Sequence, residues 1–361
     1  MERNYPVAGK FPNSRAFQEW EKGATHLYSR ISHPEVSQFE KMLASGNEAG
    51  VLSFCSGMAA ISTLLIYLAK SHDTIFLPRN LYGGTDALIG SILCPSHFAN
   101  VERVDMEIAE LPSDSRNGVV FLETPANPTL EVADVRAWRD VATRQDCKII
   151  VDNTLMTHAL QDPIAWGADY AVASATKLIS GKSDLLGGVI WARDRNDYDA
   201  LFTHRTYLGT IMSPVVAAEL ATRQSDLRVR VLKQSQIAQS VYQLLKERSD
   251  FTNIYYPTSE SRSQELVRRQ SSGHGGCLIT CTPSRSFDEA RALMDNLEMV
   301  KIATSFGGSQ TTAQLVNDIR YTDEVRQRDS QKVPLIRFSI GTEDSSAIAD
   351  DILRAWTFAR R

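Results

Sequence analysis

The sequence predicts an α/β protein: a large domain on a mixed sheet covered by helices, then a smaller α+β domain. Three observations carry this. The chain has 361 residues, and at roughly 100–200 residues per domain that is room for about two domains. From about residue 46 to 200, short apolar runs alternate with helical stretches, the strand–helix–strand rhythm of a sheet with helices on both faces. After Tyr255-Tyr256-Pro257 the rhythm changes. The expected division is an arm over 1–45, a large domain over 46–225, and a linking helix with a small domain over 226–361.

The arm has Pro and Gly early, and its aromatics Phe11, Phe17, Trp20 and Tyr28 need a surface to cover. Val51 to Ala69 carries no charge, but Ser53, Ser56, Gly57, Ser62 and Thr63 interrupt it. A membrane span needs about 20 predominantly apolar residues, so a buried strand leading into a helix is expected. Gly118-Val-Val-Phe-Leu-Glu123 is a buried strand ending at a Pro-rich turn, and 134–145 is helical. Cys147-Lys-Ile-Ile-Val-Asp152, Tyr170-Ala-Val-Ala-Ser174 and Gly188-Val-Ile-Trp191 are the next strands. A long helix runs from Ala217 to Leu245 on helically spaced apolar positions. The small domain reads as strands at 276–281, 299–304 and 335–340 with helices at 287–297 and 345–358. Residues 309–333 are polar without a period and read as a long loop, a length that is usually functional or mobile.

Composition narrows the function. Lys+Arg 39 against Asp+Glu 43 gives a net charge of −4, with no basic footprint for nucleic acid or an anionic membrane. Seven His and 5 Cys are too scattered for a zinc module or a disulfide framework, so no metal is expected. An odd cysteine count suggests a reducing compartment. The opening Met1-Glu2-Arg3-Asn4-Tyr5-Pro6 has no apolar core, so no signal peptide is expected and the location reads as cytoplasmic.

Lys177 ends Ser174-Ala-Thr-Lys177, just past an apolar strand. Burial lowers a lysine's pKa and frees its amine for Schiff-base chemistry. On this tetrapeptide alone, a solvated loop lysine is the better reading. Asp152 changes the balance, because it ends the preceding strand, and neighbouring parallel strand ends converge on one ligand. A Schiff-base lysine plus an aspartate facing a pyridinium nitrogen is the signature of pyridoxal phosphate. Capping Thr154 is the alternative for Asp152, and by itself it is equally good. Ser53-Phe-Cys-Ser56-Gly57-Met58 opens an apolar helix whose free N–H groups make an anion site, with Ser174 and Thr176 as added hydroxyl donors; a ligand-free cap is the bland reading. Gly181-Lys182-Ser183 resembles the end of a P-loop, but Thr176 stands where that motif needs glycine.

Segment 152–189 resembles the lysine signature of the Cys/Met-metabolism enzymes that use pyridoxal 5'-phosphate, among them cystathionine γ-synthase, cystathionine γ- and β-lyase and methionine γ-lyase. Further family marks follow in order: Tyr28-Ser-Arg30, Ser56-Gly57-Met58, Tyr82-Gly-Gly-Thr85, Glu123-Thr-Pro-Ala-Asn127-Pro, Gly273-His-Gly-Gly276, Ser305-Phe-Gly-Gly308 and Arg337-Phe-Ser-Ile-Gly341. The resemblance implies the aspartate-aminotransferase fold type and a homo-oligomer with shared active sites, a tetramer of catalytic dimers. It implies that Lys177 carries the cofactor and moves protons, and that Asp152 pairs with the pyridinium. Ser56, Gly57, Met58, Ser174 and Thr176 would hold the phosphate, with Tyr28 and Arg30 arriving from a neighbouring subunit. Tyr82 would stack on the ring and act as acid, Asn127 would bond the phenolic oxygen, and Arg337 would clamp the α-carboxylate of a small amino-acid substrate with Ser305 in support.

Departures fall on the substrate side. Leu178 and Lys182 replace the usual Tyr and His, and Ile179-Ser180-Gly181 resembles a variant of some cystathionine γ-synthase-like members. Gln310 stands where many relatives place an acid that reads a distal amine, and Gln forms no ion pair. The resulting expectation is γ-replacement on an O-acylhomoserine-like substrate through a vinylglycine-type intermediate. The alternative is a C–S lyase releasing an α-keto acid, ammonia and a thiol.

Overall fold

The computed structural model describes residues 8–10, 12–23, 26, 28–44, 50–94, 96–316 and 333–361. The large sheet contains β1 (Gly50–Phe54), β2 (Thr74–Pro78), β3 (Asn100–Val104), β4 (Val119–Glu123), β5 (Lys148–Asp152), β6 (Tyr170–Ser174) and β7 (Gly188–Ala192). Its order is β1-β7-β6-β5-β4-β2-β3, with β7 antiparallel to both neighbours and the β2–β6 pairings parallel. The carboxyl ends of β1, β2, β4, β5 and β6 therefore share one edge, where a parallel sheet presents ligands.

Strand β4 shows why these runs are unbroken. Val119 and Phe121 join the core on one face, and Val120 and Leu122 join the core on the other. With both faces covered, no polar position is left to alternate. The uncharged segment resolves as expected into β1 and a helix, α3 (Gly57–Leu68), with Leu64 and Leu65 fully buried. Each such side chain contributes roughly 1.5–3 kcal/mol on leaving water. Before it lie α1 (Ser14–Gly23) and α2 (Pro34–Ala44). After it come α4 (Gly83–Leu88), α5 (Val135–Arg144), α6 (Thr157–Leu160) and α7 (Arg195–Leu208). Asp134 and Asp194 cap α5 and α7 through their side chains, an arrangement worth about 1 kcal/mol each.

The predicted helix Ala217–Leu245 is two helices, α8 (Pro214–Thr222) and α9 (Gln224–Arg248). They meet at Arg223, whose guanidinium is fixed on Asp184. Apolar spacing continues across the junction, so periodicity alone does not register the break.

The second sheet has the order β10-β11-β12-β9-β8, with β8 (Asn253–Tyr255), β9 (Leu278–Thr282), β10 (Lys301–Ile302), β11 (Thr312–Leu315) and β12 (Ile336–Ser339). Ile279, Cys281, Ala313, Leu315, Ile336 and Phe338 pack with α9 and the C-terminal helix Ser345–Ala359. Two expectations need correction. The strand at 299–304 shrinks to β10, because the chain turns away to bring the Thr304 and Ser305 carbonyls to Arg337. The segment 309–333 is not all loop: it contains β11, paired antiparallel with β12. Its apolar residues face one core while Gln314 is buried against Arg337, so its polar face mimics a surface. Residues 317–332 of that segment, with Phe11 and the side chain of Trp20 in the arm, lie outside what the structure describes. No helix among the described residues is long and apolar enough to cross a membrane.

Candidate active site

Three strand ends meet under the first turn of α3. Gly188 pairs with Phe54 on one side and Ser174 on the other. A side chain there would come within 2.2 Å of the Ser56 carbonyl. A Cβ on Gly57 would reach within 2.9 Å of the Ser174 Cβ. Two glycines thus let the helix start sit directly on β6. Ser56 Oγ accepts from Ala59 N at 3.0 Å, leaving the amides of Gly57 and Met58 at the open first turn. The Thr176 hydroxyl donates to Gly187 O and accepts from Gly187 N.

Asp152 ends β5 and is buried. Its Oδ1 accepts from both Thr154 N (3.0 Å) and Thr154 Oγ1 (2.6 Å), and Thr154 Oγ1 in turn accepts from Ser174 N. The cap is present, with one oxygen at the strand end, while Oδ2 accepts no hydrogen bond among the described residues. Burial pushes this carboxyl above its ordinary range. A buried carboxylate with a spare oxygen and no cation beside it calls for a cationic ligand.

Lys177 follows β6 within a π-helical turn, Ala175–Ile179, at a non-helical φ/ψ of −88°, −122°. Its Nζ donates to Ser305 Oγ at 2.9 Å. Burial and then the Arg337 charge bring its ammonium down to about 8, so an appreciable fraction is a free amine near neutrality. The ring of Phe306 stands 5.0 Å from Lys177 Nζ and 5.3 Å from the Arg337 guanidinium carbon. Gly307, at φ 84°, is packed where a Cβ would come within 2.8 Å of Leu178 N.

Arg337 is buried on β12, directly opposite Gln314 on β11 and Thr280 on β9. Arg337 Nη2 donates to Gln314 Oε1 at 2.6 Å, and Nη1 donates to Asn127 Oδ1 at 2.9 Å. Thr280 Oγ1 donates to Pro128 O at 2.7 Å. One cross-strand row of the small sheet is thereby docked on the loop after β4. Because Asn127 spends its carbonyl on Arg337, its amide hydrogens are what it has left to offer a ligand. Tyr82 precedes α4, and its ring lies over Gly84, where a Cβ would be 2.6 Å from the ring edge and 3.2 Å from Met58 Sδ.

The fold thus gathers Lys177, Asp152, Ser174 and the start of α3 at one sheet edge, and joins Lys177 to Ser305, Arg337 and Asn127 through the bonds above. It leaves three expected residues apart from this group. Gln310 is exposed in a turn packed on Gly341. Tyr28 and Arg30 are exposed; Arg30 donates to Thr206 O near the end of α7 and lies over the Tyr28 ring. Sequence reading missed Gln314, Thr280 and the role of Glu123, whose oxygens accept from Tyr82 N and Asn127 N at 2.8 Å each.

A lysine amine lowered toward neutrality, an unpaired buried aspartate on the adjacent strand and an open helix start suit pyridoxal phosphate, which has a carbonyl, a ring nitrogen and a phosphate. Comparison with known proteins agrees. The Cys/Met metabolism PLP-dependent enzyme family matches residues 8–357. The chain belongs to this family. It is therefore an enzyme that uses pyridoxal 5'-phosphate. An L-methionine gamma-lyase from Pseudomonas putida is 31% identical over 340 residues, 92% of this chain and 85% of that one. A putative cystathionine gamma-lyase from Streptomyces coelicolor is 34% identical over 347 residues, 91% of this chain and 83% of that one. The structure of cystathionine gamma synthase from Xanthomonas oryzae pv. oryzae in complex with cystathionine superposes with a TM-score of 0.88 at 26% identity, covering 99% of this chain and 92% of that one. The fold is the one these pyridoxal-phosphate enzymes share.

Proposed function

We propose that this enzyme works at the side chain of an amino acid by γ-replacement on an O-acylhomoserine-like donor. The observation that carries the reading is the placement of Lys177 Nζ and the Arg337 fork on one aromatic ring, Phe306, with Ser305 touching both. A base and a carboxylate clamp so arranged bracket the α-carbon of an amino acid. Bound on Lys177, pyridoxal phosphate supplies the electron sink for charge developing at that carbon.

The protein's own part is positioning and proton transfer. With the cofactor bound, Asp152 would keep the ring nitrogen protonated, and the amides of Gly57 and Met58 with Ser174 would take the phosphate. Thr176 would support them through Gly187. Asn127 would donate to the phenolic oxygen. Arg337 holds the substrate carboxylate, and Gln314 fixes its fork. Lys177 Nζ removes the α-proton and then a β-proton. The Cγ–O bond breaks as the acyl carboxylate leaves with its electron pair beside the Tyr82 hydroxyl as acid. The thiol sulfur bonds to Cγ in its place, and Lys177 returns protons to Cβ and Cα.

Elimination is the second reading. The relatives named as methionine and cystathionine γ-lyases favour it, and it uses the same residues. Product mass spectrometry with O-acetylhomoserine, with and without cysteine, separates the two. A thioether that requires the thiol is expected; a keto acid formed regardless of thiol overturns replacement.

We also infer a homo-oligomer, with Tyr28 and Arg30 serving the neighbouring subunit's phosphate. Their exposure, with Arg30 turned to Thr206 O, supports this. The five cysteines are all free thiols, which suits a cytoplasmic protein.

A further inference from the structure

Glu123 is buried at 4% exposure and stands in direct register with Asp152 at the end of the neighbouring strand. Two carboxyl groups side by side in the interior oppose each other's ionisation, and burial together with the Asp152 charge pushes Glu123 up to about 8. A strand end does not need such a group. What Glu123 does is bridge: Oε2 accepts from Tyr82 N and Oε1 from Asn127 N, both at 2.8 Å. Those amides lie on different loops, one leaving β2 and one leaving β4. Gln cannot do the same, because it has one acceptor oxygen and would turn its NH2 toward the second N–H, whereas a carboxyl keeps an acceptor on each oxygen.

We propose that Glu123 is a positioning residue that sets both the Tyr82 ring and the Asn127 amide from one carboxyl group. The proposal rests on the reading of Tyr82 and Asn127 given above. Each is anchored at its backbone by Glu123 and then carries its side chain to a second fixed contact. For Tyr82 that contact is the space beside Gly84 that a side chain would fill, and for Asn127 it is Arg337. Displacing either amide moves the corresponding cofactor contact without altering the side chain that makes it.

The test is a double-mutant cycle read by retention of pyridoxal phosphate on dilution and by visible circular dichroism of the bound cofactor, neither of which requires turnover. Glu123→Gln in the native chain is expected to weaken retention by about tenfold, the scale of leaving one buried N–H without its acceptor, and to change the visible dichroism. In a Tyr82→Ala/Asn127→Ala background the same substitution should add less than about twofold, because what it positions is gone. Equal factors in both backgrounds would overturn the proposal and reduce Glu123 to a local stabiliser. If Tyr82→Ala/Asn127→Ala alone changes neither readout, the reading of those two residues fails and this proposal falls with it. Should Glu123→Gln yield no folded protein, Glu123→Asp, which keeps both oxygens on a shorter stem, goes through the same cycle with the same criteria.

Discussion

The two halves of the site are built differently. In the half proposed for the cofactor, Asp152, Ser174 and the amides of Gly57 and Met58 hang from ends of a sheet buried on both faces, so strand register places them. On the substrate side, Arg337 stands on a short strand of a smaller sheet and depends on Gln314, Asn127 and two loop carbonyls to aim it. The first arrangement changes little without breaking the core. The second can be retuned one contact at a time.

That contrast can be broken at several depths. Lys177→Ala should abolish the cofactor link entirely: borohydride treatment followed by peptide mass spectrometry should find no pyridoxyl adduct at the site, and an adduct there would refute the assignment. Arg337→Ala should raise KM for the amino acid by roughly 100-fold, since a charge-assisted fork is lost, while cofactor content holds. A loss of cofactor equal to that of an Asp152 variant would erase the division between halves.

Arg337→Ala has a second, subtler effect. Uptake of pyridoxal phosphate needs the neutral Lys177 amine, so its rate in cofactor-free protein should rise with pH and be half-maximal near about 8. Removing the Arg337 cation relieves the ammonium, so the pKa rises and the profile should move to higher pH. A profile that stays put would mean burial alone sets the lysine. Gln314→Ala should cost less, about 3- to 10-fold in KM with kcat nearly unchanged, on the scale of one hydrogen bond. Mixed oligomers of Arg30→Ala and Lys177→Ala subunits should recover a fraction of native activity; no recovery would sink the shared site.

The same contrast governs what the sequence discloses. Lys177, Asp152 and Ser56-Gly57-Met58 follow apolar strands closely, and a polar or small residue at such a place is conspicuous. Glu123 stands at an equivalent place but reads as the first residue of a turn, because nothing in one dimension reveals the two amides it faces. Gln314 is hidden more thoroughly. Thr312-Ala-Gln-Leu has the period of a strand, yet its polar positions resemble solvent-facing ones, and their burial depends on β12 arriving from more than 20 residues later. Gln310 was the more visible glutamine, being next to a glycine motif, and the fold leaves it outside. Thr176 shows that a hydroxyl close to a site is readily consumed by a backbone turn.

Gly307 ties the two halves together in a way that matters for redesign. Its missing side chain lets the loop that carries Ser305 and Phe306 rest against the peptide bond between Lys177 and Leu178. Grafting that loop from a relative to exchange one substrate for another would therefore also replace the backrest of Lys177, the lysine proposed to transfer protons. Variants with a new side-chain preference should arrive with an altered acidity at Lys177, and a library that varies the loop alone will select for compensation in 178–184, where Arg223 and Arg230 hold the other flank.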